Sequence, residues 1–449
     1  MSVQSQIPLV HAGVNHIHAA ELQAISDILD AHPEITSMVL ADIVPDGVDP
    51  EKGRKGMTAE QVVRALIVKM MNGFSYEQLA FHLVDSRTYS SFCRIGIGDN
   101  PPTKSALNAN IKMIRPETLE AINRVLVLHA IEAGIERGDK VRVDSTVTES
   151  NIHHPTDSSL LWDCVRVLTR HMHDATELVG FGFADHTRRA KRRAMEILNA
   201  KTKKDMLGPY KDLLRVTLMV LDDAERAVKA LKDCPIDDLE VWLLAIHGSE
   251  ELSRYIPLAL KVVDQTSRRV VQGQRVPSDE KIVSIFEPHT DIIVKDRRDT
   301  YYGHKLCLTA GASNLVLDCV IGEGNPADSS MATEMIRRLD PIIGKVPRQA
   351  SYDGGFASGQ NLADIKALGV KDVAFAKRRS IGISDMVKSS WVYRKLRNFR
   401  AGIEGIISFL KRCFGMTRCT WRGLESFKAY VWSSIVSANL LVIARHILA

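Results

Sequence analysis

The spacing of apolar residues changes three times along the chain, and these changes constrain the fold most. From residue 15 to about 136, apolar residues recur at three- and four-residue spacing, which indicates helices. At Lys140 the segment KVRVDSTVT alternates apolar and polar residues, which predicts a strand. A helical period returns from Asp157 to about Val263, and strand-like segments follow only after Ser278. A long helical segment therefore separates the first strand from the others.

The segments after Ser278 predict the rest of a sheet. KIVSIF and DIIVK read as strands, and HKLCLTA and LVLDCVIG read as a hairpin joined at residues 311–314. A helix to Leu339, the strand RQASYD, a helix at 359–368, the strand VKDVAFA and a closing helix follow. Without the helical segment the core order is βββαβαβα. This is the order of a ribonuclease-H-like core, a mixed sheet flanked by helices.

The N-terminal region predicts short helices with tight turns. Thr58 and Gly73 bound one helix, Ser75 begins the next, and Thr103 begins a third. This pattern suits a helix-turn-helix-like arrangement, although a plain helical bundle fits the same pattern.

A chain of 449 residues exceeds the roughly 250–300 residues at which single cores stop growing, so we expect several domains. The predicted fold is mixed α/β in three parts: a helical DNA-binding domain at 1–138, a ribonuclease-H-like core at 139–156 and 278–449, and a mainly helical insertion at 157–277.

Composition indicates an ordinary globular protein of the cytoplasm. Seven cysteines without a CxxC pair predict reduced thiols. The N-terminus lacks the pattern of a signal peptide. Residues 429–444 are uncharged but shorter than the roughly 20 residues that span a bilayer, so we expect a buried helix and no membrane association.

Positive charge is clustered, although the net charge of +5 is small. From Lys377 to Arg422 there are twelve Lys or Arg and only two acids, Asp385 and Glu404. A solvated helix face would interleave several acids at four-residue spacing. We therefore expect an anionic partner here. Residues 186–205 hold eight further Lys or Arg. For this run, a helix face that is simply exposed to solvent is as good an interpretation as a surface that binds an anionic partner.

Three acids fall at comparable places in the inferred core. Asp144 lies at the end of the first strand, Asp353 ends RQASYD before two glycines, and Glu404 lies on the closing helix. Acids from such elements meet where the strands of open sheets end. Mg²⁺ prefers carboxylate oxygens, and two such ions can assist displacement at phosphorus.

The closing helix places basic residues beside its acid. At 100° per residue, Arg400, Glu404 and Lys411 fall within about 40° of one another. An apolar face with Ile403 and Leu410 adjoins them. We therefore expect this stripe to hold a metal ion and DNA phosphates together.

These motifs resemble the DDE transposases of insertion sequences. VDSTVTES resembles their first-Asp strand and YDGGF their second-Asp turn. Arg397-x2-Arg400-x3-Glu404-x6-Lys411 resembles their Y-x2-R-x3-E-x6-K signature, with Arg397 at the tyrosine position. Residues 57–116 resemble the helical N-terminal domain of InsH-type transposases.

The resemblance implies a metal-dependent transposase that binds the terminal inverted repeats of its element, cleaves the ends and joins them to target DNA. It implies Asp144, Asp353 and Glu404 as catalytic ligands of Mg²⁺ or Mn²⁺, with two ions expected. The expected DNA-binding residues are Arg397, Arg400, Lys411 and Arg412. We expect a homo-oligomer, a dimer on paired ends, at the nucleoid. A nuclease that does not join ends and a DNA-binding regulator remain alternatives.

Overall fold

The computed structural model describes residues 15–44, 47, 56–96, 98–235, 238–295, 299–377 and 380–449. The chain divides into two compact units, Met1–Glu149 with Lys305–Ala449, and Ser150–His304. The three domains predicted from the sequence have other bounds than these two units, and that three-domain division stays a prediction. The expectation about a signal peptide falls mainly on residues 1–14, outside the described residues.

Helices occupy the N-terminal region before the first strand. They are α1 Ile17–Ala31, α2 Pro33–Ile43, α3 Ala59–Asn72, α4 Tyr76–Asp85, α5 Arg87–Phe92, α6 Lys104–Met113 and α7 Pro116–Glu132, followed by β1 Lys140–Glu149. Thr58 and Ser75 each cap a helix by accepting from a backbone N–H three residues later. Gly73 ends α3 with φ 66°, a left-handed conformation that favours glycine. Helices α3, α4 and α6 pack on one another around this tight turn.

The unit Ser150–His304 is mainly helical. Its helices are α8 Asp157–Val179, α9 Thr187–Asn199, α10 Lys203–Lys232 and α11 Leu239–Thr266, which continues as a π-helical turn, Ser267–Val271. The helices pack around a core that includes Leu161, Leu213 and Leu252. Strand β2, Asp291–Lys295, pairs antiparallel with the first residues of β3, Asp299–Ala310.

The strand predicted at KIVSIF is wrong. Residues 281–286 form no strand, although Ile282 and Ile285 are buried. The backbone of Ile282 is instead bonded by one side chain: its N–H donates to Oε1 of Gln265 at 2.9 Å, and its C=O accepts from Nε2 at 3.1 Å. Gln265 therefore supplies the hydrogen bonds that a neighbouring strand would supply.

The remaining elements complete the sheet and its helices. They are β4 Val316–Ile321, α12 Asp328–Arg337, α13 Asp340–Ile343, β5 Gln349–Tyr352, α14 Gly359–Ala367, β6 Asp372–Phe375, α15 Ile383–Met386, α16 Ser390–Cys413 and α17 Leu424–Leu448. The strand order is β3-β1-β5-β6, with β4 on β3. Strand β5 is parallel to β1 and β6, whereas β3 and β4 are antiparallel. This mixed sheet, with its long helical insertion after β1 and its N-terminal helical region, confirms the predicted fold class.

Helix α17 contains the uncharged run 429–444. Among the described residues it is the one helix that is long and apolar enough to span a membrane, by length and composition only. Of its most apolar window 72% is buried, and core helices of soluble proteins pass the same test. It packs against α1, α3 and α7. Its buried Asn439 accepts from the Val316 N–H at 3.0 Å and donates to Asn123 at 2.7 Å, which fixes the helix in the core.

Candidate active site

Parallel pairing brings two of the predicted acids to the same level of the sheet. Strands β1 and β5 are in register from Lys140 opposite Gln349 to Val143 opposite Tyr352. The next residues are Asp144 and Asp353. Strand β1 continues beyond Asp144 to Glu149, so Asp144 lies inside the strand and not at its end as predicted. The pairing of β1 with β5, however, ends at Val143, just before Asp144.

The chain turns sharply after Asp353. A short 3-10 helix, Gly354–Phe356, begins at the next residue. A Cβ at Gly354 would lie 2.7 Å from the Cβ of Lys377, and one at Gly355 would lie 2.8 Å from Oδ2 of Asp328. The two glycines therefore let neighbouring side chains pack directly against the turn that carries Asp353.

Three neighbouring strands anchor α16, which carries Arg400 and Glu404. Ser351 of β5 donates to the Leu396 C=O at 2.9 Å. The C=O of Phe375 in β6 accepts from the Tyr393 hydroxyl at 2.8 Å. Arg142 of β1 donates to the Phe399 C=O at 3.1 Å and also bonds Asn314. These bonds fix both the axial position and the rotation of α16 over the sheet.

Gly402 allows this close approach of α16 to Arg142. A Cβ at Gly402 would overlap Nη1 of Arg142 and lie 3.0 Å from its Cζ. Arg142 is 4% exposed and is held by two hydrogen bonds, so it cannot move aside freely. Burial lowers the pKa of Arg142, whereas Glu136 opposes that shift.

Gly402→Ala is therefore expected to lower the free energy of unfolding by about 1–3 kcal/mol, as overpacked sites do. Denaturant unfolding measures the change. Gly405→Ala is the matched control, because a Cβ at Gly405 meets nothing within 4 Å. Alanine there should be neutral or stabilising by up to about 1 kcal/mol, since it is the better helix former. Equal tolerance of both substitutions would show that α16 is not held as described.

One guanidinium contacts all three predicted acids. Nη2 of Arg400 lies 2.8 Å from Oδ2 of Asp144 and 3.3 Å from Oδ1 of Asp353. Its Nη1 lies 3.3 Å from Oε1 of Glu404, four residues later on the same helix. The Nε atom of Arg400 is buried and has no hydrogen-bond partner within the described part of the chain. The terminal nitrogens of Arg400 thus gather carboxylates from β1, the β5 turn and α16.

The acids differ in exposure, from the inner Asp144 to the outer Glu404. Their side chains are 13%, 41% and 67% exposed for Asp144, Asp353 and Glu404. Burial raises the pKa of Asp144, while Arg400 and the Ser145 N–H oppose that rise and Asp353 adds to it. Three carboxylates facing one guanidinium leave negative charge that is not neutralised. The cluster therefore favours a further cation.

The donor chemistry fits a divalent metal ion. Three carboxylates meet at one cationic group, and the guanidinium stands where a hard cation would be attracted. Across the described ranges, no three His, Cys, Asp or Glu side chains are close enough as placed to hold an ion. The guanidinium of Arg400 occupies the space between the acids, so it would have to leave for an ion to bind there.

The other predicted DNA-binding residues lie along the same helix. Arg397 is exposed one turn before Arg400, and Arg412 is exposed at the helix end. Lys411 lies about two turns after Glu404 and is partly buried. Arg400 itself is directed towards the carboxylates. Two cations of the predicted basic run, Arg378 and Arg379, fall outside the described residues.

Sequence reasoning did not single out three residues near the site. Arg142 anchors α16, and Lys377 packs on the turn after Asp353. Asp328, the first residue of α12, pairs with Lys305 at 3.2 Å and touches the same turn. Arg142 occupies a polar position in the alternating strand KVRVD, so the local pattern gave no signal that its side chain would be buried.

Comparison with known proteins identifies two parts of the chain. The family "Transposase DDE domain" matches residues 261–440, and the family "Transposase domain (DUF772)" matches residues 12–113. The DDE match includes Asp353, Arg400 and Glu404, whereas Asp144 precedes it. A protein of Rhizobium meliloti named "Uncharacterized protein ORF8 in nfe locus" is 28% identical over 160 residues, which are 32% of this chain and 77% of that protein. No solved structure matches significantly.

Both matched families are transposase families, and they lie in the order expected from the sequence. The matches cover the N-terminal helices and most of the sheet with its closing helix. Together, the two family matches indicate that the chain is a DDE-type insertion-sequence transposase.

Proposed function

We propose that this transposase binds the terminal inverted repeats of its own element, cleaves DNA at the element ends and joins the 3′-hydroxyls to target DNA. One observation carries the proposal: Asp144, Asp353 and Glu404 surround a single cationic group on a ribonuclease-H-like sheet. A carboxylate cluster beside a strongly basic helix suits a polyanionic substrate that needs metal ions.

The three acids would hold Mg²⁺ or Mn²⁺, and we expect two ions. Such ions activate the attacking oxygen and stabilise the leaving oxygen of an in-line displacement at phosphorus. The protein contributes the positions of the acids. Asp144 and Asp353 are fixed by the paired strands, whereas Glu404 depends on the anchoring of α16.

Arg400 has two successive roles in this proposal. In the metal-free protein it neutralises part of the charge of the acids. When metal and DNA bind, its guanidinium leaves the acids and pairs with a phosphate, to which its planar donor group is well suited. Arg397, Lys411 and Arg412 extend the phosphate-binding stripe along α16.

The N-terminal helices are proposed to recognise the element ends. The three-residue turn between α3 and α4 contains Gly73, and a short turn with a glycine is common in helix-turn-helix proteins, which supports this proposal. Paired ends require two active sites, so the working form is proposed to be a homodimer on DNA. The protein is proposed to act in the cytoplasm at the nucleoid.

The test uses full-length protein, a duplex of the flanking inverted repeat and a supercoiled target plasmid. Cleavage at the repeat terminus and joining of pre-cleaved ends to the plasmid, both dependent on Mg²⁺ or Mn²⁺, are the expected results. Cleavage without joining would indicate the nuclease alternative. Specific binding without either reaction would indicate the regulator alternative.

A further inference from the structure

We infer that one face of α9 is a second DNA-contacting surface, which binds the phosphate backbone without reading sequence. This inference rests on the proposed function for its partner. It concerns a part of the chain outside the three-acid site, and it is carried by how the charges of α9 are distributed around the helix.

Helix α9 has a buried apolar face. Ala190 and Ile197 are 0% and 3% exposed and belong to the core of the unit Ser150–His304. They are seven residues apart, which places them on one side of the helix. This side fixes which of the other residues of α9 point outwards.

A second face is basic but internally neutralised. Arg189 and Arg193 both bond the carboxylate of Asp212 on α10, with Nε of Arg193 at 2.6 Å from Oδ2. Arg193 also donates to Glu196 at 2.7 Å. The hydrogen bonds from Arg189 and Arg193 lower the pKa of Asp212 to about 2. On this side Asp212 and Glu196 therefore offset the positive charges of Arg189 and Arg193.

The third face is exposed and positive. Arg188, Lys191, Arg192 and Met195 follow the i, i+3, i+4, i+7 pattern of one helix side, and all four are exposed. Lys203 and Lys204 add two exposed cations in the first turn of α10, where the helix dipole disfavours positive charge. From 186 to 205 the acids are Glu196, which is shared by Arg193 and Arg192, and Asp205, in the first turn of α10, against eight Lys or Arg.

A solvated helix face would distribute acids among these cations, because such pairs stabilise a helix by a few tenths of a kcal/mol. On this face only Arg192 has an acid at that spacing, and this acid, Glu196, also pairs with Arg193 of the adjacent face. DNA is favoured over an anionic membrane because the exposed apolar side chains on α9 are only Met195 and Leu198. A membrane-bound helix would present a broad apolar face to the lipid.

The test measures the affinity of the full-length protein for DNA at several salt concentrations in chelator. A variant replaces one arginine and three lysines of the surface by glutamine: Arg188, Lys191, Lys203 and Lys204. The matched control replaces one arginine and three lysines that are also exposed in this unit: Arg215, Lys229, Lys232 and Lys261. Both sets remove four positive charges.

The surface variant should bind end DNA and random DNA about tenfold or more weakly near 0.1 M salt. Its slope of log affinity against log salt should be shallower by up to about 3–4, at about 0.9 per lost phosphate contact. The control should change both quantities little. Since the acids are untouched, metal-dependent cleavage at low salt and saturating protein should persist, which separates this inference from the proposed function.

If the two variants lose DNA affinity equally, the loss reflects the net charge of the protein and not a particular surface. That result would overturn the inference. The inference would also be overturned if the surface variant bound DNA as the wild-type protein does but failed to bind anionic vesicles that the wild-type protein binds. That result would assign the surface to lipid. Loss of end DNA binding alone would make the surface a sequence reader, contrary to the inference.

Discussion

Asp353→Asn is expected to abolish metal-dependent end cleavage while leaving DNA binding and folding nearly unchanged. The substitution removes charge without volume at a side chain that is 41% exposed. Loss of a partner that merely orients a metal ligand costs roughly 10–100-fold in metal affinity or activity, so loss of a ligand should cost at least about 100-fold. Asp144→Asn and Glu404→Gln should have the same effect.

Asp385→Asn is the matched control, because Asp385 is the other acid of the basic run and is exposed on α15. It should cleave at the wild-type rate. Cleavage is measured on labelled end duplex in Mg²⁺, with folding checked by thermal unfolding. Cleavage retained by any one of the three acid variants would remove that residue from the proposed site.

Arg400→Gln is expected to change metal binding in the opposite direction from the acid variants. In this variant no guanidinium competes with Mn²⁺ for the three carboxylates. The affinity of the protein for Mn²⁺ in the absence of DNA should therefore rise at least about tenfold, or 1.4 kcal/mol. The metal-free variant should be less stable by about 1–2 kcal/mol, because three carboxylates are left without their shared cation while two of them remain well exposed. Mn²⁺ should restore the lost stability.

Electron paramagnetic resonance titration with Mn²⁺ measures the affinity, and unfolding in chelator and in Mn²⁺ measures the stability. Arg397→Gln is the control, because Arg397 is exposed on the same helix one turn earlier. It should weaken DNA binding without changing Mn²⁺ affinity. If Arg400→Gln leaves Mn²⁺ affinity unchanged, Arg400 does not occupy the metal position.

Most strands could be predicted from the sequence because their pattern is local. Alternation and β-branched residues located β1, β3 and β4, and turn residues located their ends. KIVSIF has the same local pattern, yet Gln265, sixteen or more residues earlier, takes its backbone hydrogen bonds. Such replacement by a side chain from a distant helix leaves no signal in the segment itself.

The order of elements predicted that the three acids would lie near one another, but it did not predict that Arg400 would contact all three. The four-residue spacing of Arg400 and Glu404 was visible and predicted a common stripe. It did not show that Asp144 and Asp353 stand at one level, because this depends on the register of β1 with β5. It also did not show which way the arginine points. That direction follows from the contact between Arg142 and Gly402, which sets how α16 lies on the sheet.

The packing of the N-terminal helices also depends on residues far away in the sequence. Helices α3 and α7 pack on α17, at the other end of the chain, and they share one hydrophobic core with the sheet. Their periodicity predicted the helices but not this partner. End recognition is therefore best tested by substitutions on α3 and α4 in the full chain, because a fragment ending near residue 138 would lack α17.

The most direct test of the central claim is a crystal structure of the protein with end DNA and Mn²⁺, with anomalous scattering used to locate the metal. The proposal predicts manganese bound to carboxylate oxygens of Asp144, Asp353 and Glu404, with the guanidinium of Arg400 moved from the acids to a DNA phosphate. Manganese at other residues, with Arg400 still paired to the three acids beside bound DNA, would contradict it.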